Sequence, residues 1–160
     1  MKDLSRNLTM LCDFYELTMA NGIFSSELKN VTKYSDMFFR RVPDEGGYAI
    51  MAGLEQLIEY FNNLHFEKED IDYLRSLNLF SEEFLDYLKD FKFNGDIWAA
   101  PEGTIIFPNE PVIKVRGPIV QAQLIETILM VCMNHQSLVA TKANRLVRAA
   151  KGTSVAEFGT

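Results

Sequence analysis

The chain has 160 residues, of which 48% are hydrophobic and 24% are charged, and its formal net charge at pH 7 is −6. This composition is typical of a globular protein and excludes a chain that is disordered throughout. The acidic balance argues against binding nucleic acid through a basic surface. Residues 1–6 lack the apolar core of a signal peptide, and no apolar run is long enough to span a membrane. We therefore expect a cytoplasmic protein without nucleic-acid or membrane partners.

The chain contains few of the residue patterns that mark common sites. The two cysteines, Cys12 and Cys132, lie in apolar stretches and are expected to be buried structural thiols rather than a disulfide or metal ligands. There is no glycine-rich phosphate loop, zinc-type spacing or nucleophile elbow. We expect no metal site.

The first 50 residues predict one helix followed by a β-hairpin. Asp13 is placed to cap the helix, Glu16 to complete a capping box, and Gly22 to end it. Residues 32–41 form an aromatic-rich, loosely alternating run that predicts a strand, and residues 48–50 predict the returning strand after a Pro- and Gly-containing turn.

The middle of the chain predicts helices and then short strands. Apolar residues recur at helical spacing in three segments, with Ser81 placed to cap the third: residues 54–61, 67–77 and 82–91. Glycines and prolines then confine three short strands, which predict a compact β-subdomain: residues 96–99, 103–107 and 112–115.

The last part of the chain predicts two helices and a strand. Gly117-Pro118 opens an apolar helix that we expect to be buried on every side. A second helix follows Asn134-His135 and ends at Gly152, and residues 153–160 predict a strand that runs into a turn. Because such a helix and strand need packing partners, we expect the N-terminal part of a larger enzyme.

A few charged side chains are candidates for a site. Arg40 and Arg41, at the end of a predicted strand, could be a solvated pair or could bind phosphate or carboxylate. His65 is expected at the surface, and His135 is expected to make a structural hydrogen bond. Three further cations are expected to form a solvated helix face: Lys142, Arg145 and Arg148.

Four blocks occur in order along the chain: residues 11–19 (LCDFYELTM), 38–54, 107–127 and 137–160. The first is similar to the signature TDxYxLTM, with Cys12 where Thr is usual. The second contains FFRRVP and GGYAIMAGL, and the last ends in EFGT. Together these blocks resemble the nicotinate phosphoribosyltransferases over nearly the whole sequence.

The resemblance implies an α/β fold class. Residues 1–116 would form the α+β N-terminal domain of a type II phosphoribosyltransferase, with antiparallel strands. Residues 117–160 would form the start of an irregular α/β barrel. It also implies ATP-coupled synthesis of nicotinate mononucleotide and pyrophosphate from nicotinate and phosphoribosyl pyrophosphate. ATP and Mg²⁺ are expected to participate, without a tightly bound cofactor, in a homodimer with a shared active site.

The same resemblance implies positions for substrate-binding residues. Phe158 and Tyr15 would stack on the pyridine ring from two different subunits, with Thr160 beside Phe158. Arg40 or Arg41 would bind the pyrophosphate end. The family continues beyond EFGT to the histidine that ATP phosphorylates, so we expect no catalytic residue within these 160 residues and no activity from them alone. Alternatives are a nicotinamide or quinolinate phosphoribosyltransferase, or a non-catalytic assembly or regulatory fragment.

Overall fold

A computed structural model describes residues 7–42 and 45–158. Helices and strands of the described residues occur in this order, with a short 3-10 helix at Glu27–Asn30: α1 (Phe14–Phe24), β1 (Thr32–Met37), β2 (Ala49–Ile50), α2 (Leu54–Asn63), α3 (Lys68–Ser76), α4 (Glu82–Lys89), β3 (Asp96–Ala99), β4 (Ile105–Ile106), β5 (Ile113–Pro118), α5 (Ile119–Leu124) and α6 (Glu126–Ala149). This mixture of helices and antiparallel strands confirms the predicted fold class.

The strands pair in two separate antiparallel sheets. The central strand β5 lies between β1 and β3, so that Val115 is opposite both Ser35 and Ile97. The second sheet pairs β2 with β4, with Ala49 opposite Ile106. The approximate positions of the strands were predicted correctly. The predicted hairpin between residues 32–41 and 48–50 is wrong. The predicted β-subdomain made only of the last three strands is also wrong. Pairing is decided by which strands the core brings together, and alternation within a strand does not encode that.

Helices α2, α3 and α4 supply much of the core. Their inward faces bury Leu57, Leu74 and Phe84 to 3% exposure or less, each worth about 1.5–3 kcal/mol of transfer free energy. The predicted cap of α4 is confirmed, because the Ser81 hydroxyl accepts a hydrogen bond from the Phe84 amide at 3.2 Å. Ile58, predicted on the apolar face of α2, is instead 62% exposed.

Helix α1 differs from its predicted form at both ends. It continues past Gly22 to Phe24, because a glycine inside a helix costs only about 1 kcal/mol and does not terminate it. Asp13 occupies the N-cap position, but its side chain makes no capping hydrogen bond. The predicted capping box is therefore wrong, and Glu16 points into the interior with no exposed surface.

Helix α6 is continuous over 24 residues, so the predicted break at Asn134-His135 is wrong. Neither residue has the ring constraint of proline, and their helix propensities cost only a few tenths of a kcal/mol, roughly. The chain breaks instead at Ile125, between α5 and α6. Within this chain the apolar helix is not buried on all sides, since Met130 and Val131 are about half exposed.

The segment after α6 also differs from the prediction. The helix ends before Lys151-Gly152, both with positive φ, as the glycine predicted. Residues 153–158 form no strand and are exposed. The predicted turn at Gly159-Thr160 lies outside the described residues. Cys12 and Cys132 were expected to be buried structural thiols; both are free thiols and are only partly buried.

Candidate functional site

A groove of about 970 Å³ lies between the end of β1 and the first half of α6. One wall is the segment from Ser35 to Arg41, and the other includes Glu126, Met130 and Asn134. Lys33 on β1 contacts Glu126 at 3.4 Å, which ties the two walls together. The volume of this groove lies within the range of about 300–1,000 Å³ that is typical of small-molecule sites.

Arg40 and Arg41 line this groove and are exposed. The segment that carries them is held by Phe39, which is 6% exposed and whose carbonyl accepts a hydrogen bond from the Asn109 amide at 2.7 Å. Within residues 7–42 and 45–158 neither guanidinium forms an ion pair. A fixed backbone therefore presents ten N–H donors to the groove, which suits an anionic ligand.

Tyr15 lies in the first turn of α1, and the carboxylate of Glu126, which lines the groove, is one of the charges that act on it. Its side chain is 49% exposed, while its neighbour Glu16 is fully buried. The Asp13 amide donates to the Thr127 hydroxyl at 3.1 Å, which fixes the start of α1 on the start of α6. Desolvation, with the carboxylates of Glu126 and Glu16 adding to it, raises the pKa of Tyr15. The phenol therefore remains a hydrogen-bond donor at neutral pH.

Glu16 is the feature that sequence reasoning missed. Neither of its carboxylate oxygens has a partner with hydrogen-bond geometry among the described residues, and Thr127 is only a longer polar contact. Burial, opposed by Thr127 and aided by Glu126 and Asp13, raises the pKa of Glu16 to about 7. Glu16 stands directly before the buried Leu17 and one turn before the buried Ala20, which indicated that it faces inward. The capping-box pattern instead suggested that its side chain lies at the start of the helix.

Phe158 is 88% exposed. In the described part of the chain, neither Phe158 nor Tyr15 has an aromatic partner. The structure thus does not bring the two predicted stacking rings together within one chain. Thr160 lies outside the described residues, so its predicted position beside Phe158 is not described. Stacking from two subunits remains a prediction.

A polar network joins β2 to the second half of α6. The Tyr48 hydroxyl donates to Asn144 Oδ1 at 3.0 Å and accepts from Arg148 Nη1 at 3.1 Å. The Thr141 hydroxyl accepts from the Ile50 amide at 2.8 Å, and Ser137 exchanges hydrogen bonds with the main chain of residue 52. Lys142 and Arg148 are exposed, as expected of a solvated helix face, whereas Arg145 is half-buried.

The two histidines differ in their surroundings. His65 is exposed, as predicted, with Nδ1 2.6 Å from the Asn63 carbonyl oxygen. His135 is exposed on α6, and its ring makes no hydrogen bond to another described residue, so the expected structural hydrogen bond is wrong. No group of three or more metal-binding side chains occurs in the described residues. None of the helices described is both long and apolar enough to cross a membrane.

The arrangement of elements defines the class of protein. The crystal structure of human nicotinic acid phosphoribosyltransferase superposes with a TM-score of 0.82 at 32% identity, covering 91% of this chain and 29% of that one. A nicotinate-nucleotide pyrophosphorylase from Pyrococcus furiosus shares the fold, with a TM-score of 0.62 at 23% identity, over 94% of this chain and 33% of its own. The chain therefore has the α/β fold found in part of these phosphoribosyl enzymes.

Sequence comparison makes the assignment specific. The model of the nicotinate phosphoribosyltransferase N-terminal domain matches residues 10–134. Nicotinate phosphoribosyltransferase pncB2 of Mycobacterium tuberculosis H37Rv is 42% identical over 94% of this chain, and the Bacillus subtilis nicotinate phosphoribosyltransferase is 41% identical over 96%. The chain belongs to the nicotinate phosphoribosyltransferase family. It spans 32% and 31% of the length of these two relatives.

Proposed function

We propose that this chain supplies the N-terminal domain of a cytoplasmic nicotinate phosphoribosyltransferase. The enzyme would join nicotinate to phosphoribosyl pyrophosphate, release pyrophosphate and couple the reaction to ATP hydrolysis, as a salvage step toward NAD. The observation that carries the proposal is the family match over residues 10–134, which includes Tyr15, Arg40 and Arg41. These three residues lie on or beside one groove.

The groove supports specific roles for its residues. Tyr15 would stack on the pyridine ring, a contact worth about 1 kcal/mol beyond burial, and would hold the ring nitrogen toward the ribose. Arg40 or Arg41 would bind phosphate oxygens and stabilise the charge that develops as pyrophosphate leaves. Because the described residues contain no cluster of metal-binding side chains, we assign Mg²⁺ to the substrate phosphates rather than to this part of the enzyme.

We also propose how the chain fits the complete enzyme. Residues 1–116 would form the N-terminal domain, and residues 117–160 would begin the α/β barrel. Phe158 from one subunit and Tyr15 from its partner would complete a shared site in a homodimer, with Thr160 beside Phe158. Because the chain spans about a third of its relatives, the phosphate-binding loops and the phosphorylated histidine would lie in the other two thirds, and the chain alone would be inactive.

A domain exchange tests the proposal. This chain replaces the matching N-terminal part of the Bacillus subtilis relative, and product formation is measured with nicotinate, nicotinamide and quinolinate in separate reactions. We expect ATP-stimulated synthesis of nicotinate mononucleotide by the chimaera and none by the 160-residue chain. Equal activity with nicotinamide or quinolinate would contradict the substrate assignment. Normal activity of the 160-residue chain would contradict the proposal that catalysis needs the remaining two thirds of the enzyme.

A second candidate is an assembly or regulatory partner without catalysis. It is favoured by exposed apolar residues on α1 and α6, including Met19, Met130 and Val147, which are 48–60% exposed. Exposed apolar surface of this kind is typical of a protein–protein interface. Intact mass and size-exclusion of the purified protein, with identification of any co-purifying chain, separate the two candidates. A folded chimaera that assembles but makes no product would favour this second candidate.

A further inference from the structure

A second cavity, of about 520 Å³, lies on a different face of α6 from the groove. Ile128 and Cys132 line this cavity, whereas Met130, Val131 and Asn134 line the groove. Its other walls are residues 7–9, the outer part of α2 and the loop leading into α3. None of the substrate-binding residues assigned above lines it.

Most hydrogen-bond donors in the cavity wall are already used by the protein. The Asn7 amide group donates to the His65 carbonyl at 3.2 Å, and the Asn63 amide group donates to the Glu59 carbonyl at 2.9 Å. The Nδ1 atom of His65 faces the Asn63 carbonyl oxygen at 2.6 Å and therefore carries a proton. Among the described residues that line the cavity, Gln56 is the amide side chain with no such bond to another described residue, and it can present either its oxygen or its nitrogen.

Acceptors in the wall are less fully used. Glu59 and Glu67 both line the cavity. The Glu67 side chain accepts a hydrogen bond from the Asp70 amide in the capping box of α3, and its one ionic neighbour among the described residues is the His65 ring, at 3.8 Å. Tyr60 also lines it and is 8% exposed, yet its hydroxyl has no hydrogen-bond partner among the described residues. The Tyr60 oxygen is not among the fully buried atoms that lack a partner, so it retains accessible surface, and the cavity that Tyr60 lines is where a ligand can bond to it.

The geometry points to a binding site for a small organic cation with a primary ammonium group. We propose that the ammonium donates to Glu59 and to the Tyr60 hydroxyl, while the apolar part of the ligand packs on Leu8 and Cys132, which line the cavity and are partly exposed. An anion is disfavoured because two carboxylates line the cavity. The volume falls within the range of small-molecule sites. This proposal is independent of the nicotinate reaction.

Amide chemical-shift titration of the 160-residue protein tests the site, with benzylamine as the probe and benzyl alcohol as its neutral control. At about 10 mM probe, which saturates a site with a Kd of about 1 mM, we expect benzylamine to shift the amides that line the cavity. Benzyl alcohol should leave them in place. Equal shifts from both probes, or no shift from benzylamine, would overturn the proposal.

Two variants and one control locate the ammonium. Glu59→Gln should weaken benzylamine binding by about five-fold or more, because a charge-assisted hydrogen bond is lost. Tyr60→Phe should weaken it by about two-fold or more. Glu55→Gln removes the same charge one turn earlier on α2, outside the cavity lining, and should change the Kd little. If Glu55→Gln weakens binding as much as Glu59→Gln, general charge attraction explains the titration and the site is wrong.

Discussion

Replacing Glu16 by glutamine should make the protein more stable at alkaline pH and leave it almost unchanged at acid pH. Glutamine has nearly the same shape as a protonated glutamic acid but does not ionise. Glu16 has no exposed surface and its carboxylate oxygens lack hydrogen-bond partners among the described residues. Ionising it in the folded protein therefore exposes a charge to a poorly solvating interior.

The magnitude follows from the pKa of Glu16, which rises from 4.5 to about 7 on folding. Between these values the folded chain keeps the proton that the unfolded chain has lost, so the free energy of unfolding falls as the pH rises. At 1.36 kcal/mol per pKa unit, the loss from this group is about 3 kcal/mol and is complete above pH 7. The variant Glu16→Gln avoids this loss.

Urea unfolding followed by circular dichroism at about pH 4.5, pH 6 and pH 8.5 measures the effect, at values that run from the unfolded-state pKa of Glu16 to above its folded-state pKa. The stability difference between Glu16→Gln and the parent should grow from near zero to about 3 kcal/mol. Glu55→Gln, at an exposed position on α2, controls for the loss of one negative charge. A difference that stays constant with pH, or that shrinks as pH rises, would refute the reasoning.

Four further substitutions have expected outcomes. In urea unfolding, Gly95→Ala should destabilise the protein by about 1–3 kcal/mol, since a Cβ there would stand 2.4 Å from the Arg116 carbonyl oxygen. Gly22→Ala, in open space within α1, should instead stabilise it by about 0.5–1 kcal/mol; destabilisation by both would contradict the geometry. Ser81→Ala should cost about 1 kcal/mol because it removes the cap of α4. In the chimaera, Arg41→Ala should raise the KM for phosphoribosyl pyrophosphate about ten-fold, and an unchanged KM would exclude Arg41 from phosphate binding.

Local features of the chain were predictable because local sequence sets them. The Ser81 cap needs only a hydroxyl three residues before a free amide, and the apolar spacing of α3 and α4 already indicates a buried face. Arg40 and Arg41 were recognisable as candidates from the sequence and do line the groove, although the sequence left open whether they are a solvated pair or bind an anion. The four sequence blocks also identified the family, because each block is a run of nearby residues that can be recognised without knowing how the chain folds.

Only the tertiary structure decided what depends on contacts between distant parts of the chain. Residues 32–37 pair with residues 113–118 rather than with their neighbours, because β5 supplies the buried alternating face on which β1 can pack. Glu16 looked like a cap but is buried, since α1 packs on α5 and fixes which side faces inward. Sequence thus determined where helices, strands and charged groups occur. Packing determined which of them meet, because burial and strand pairing draw their free energy from partners far along the chain.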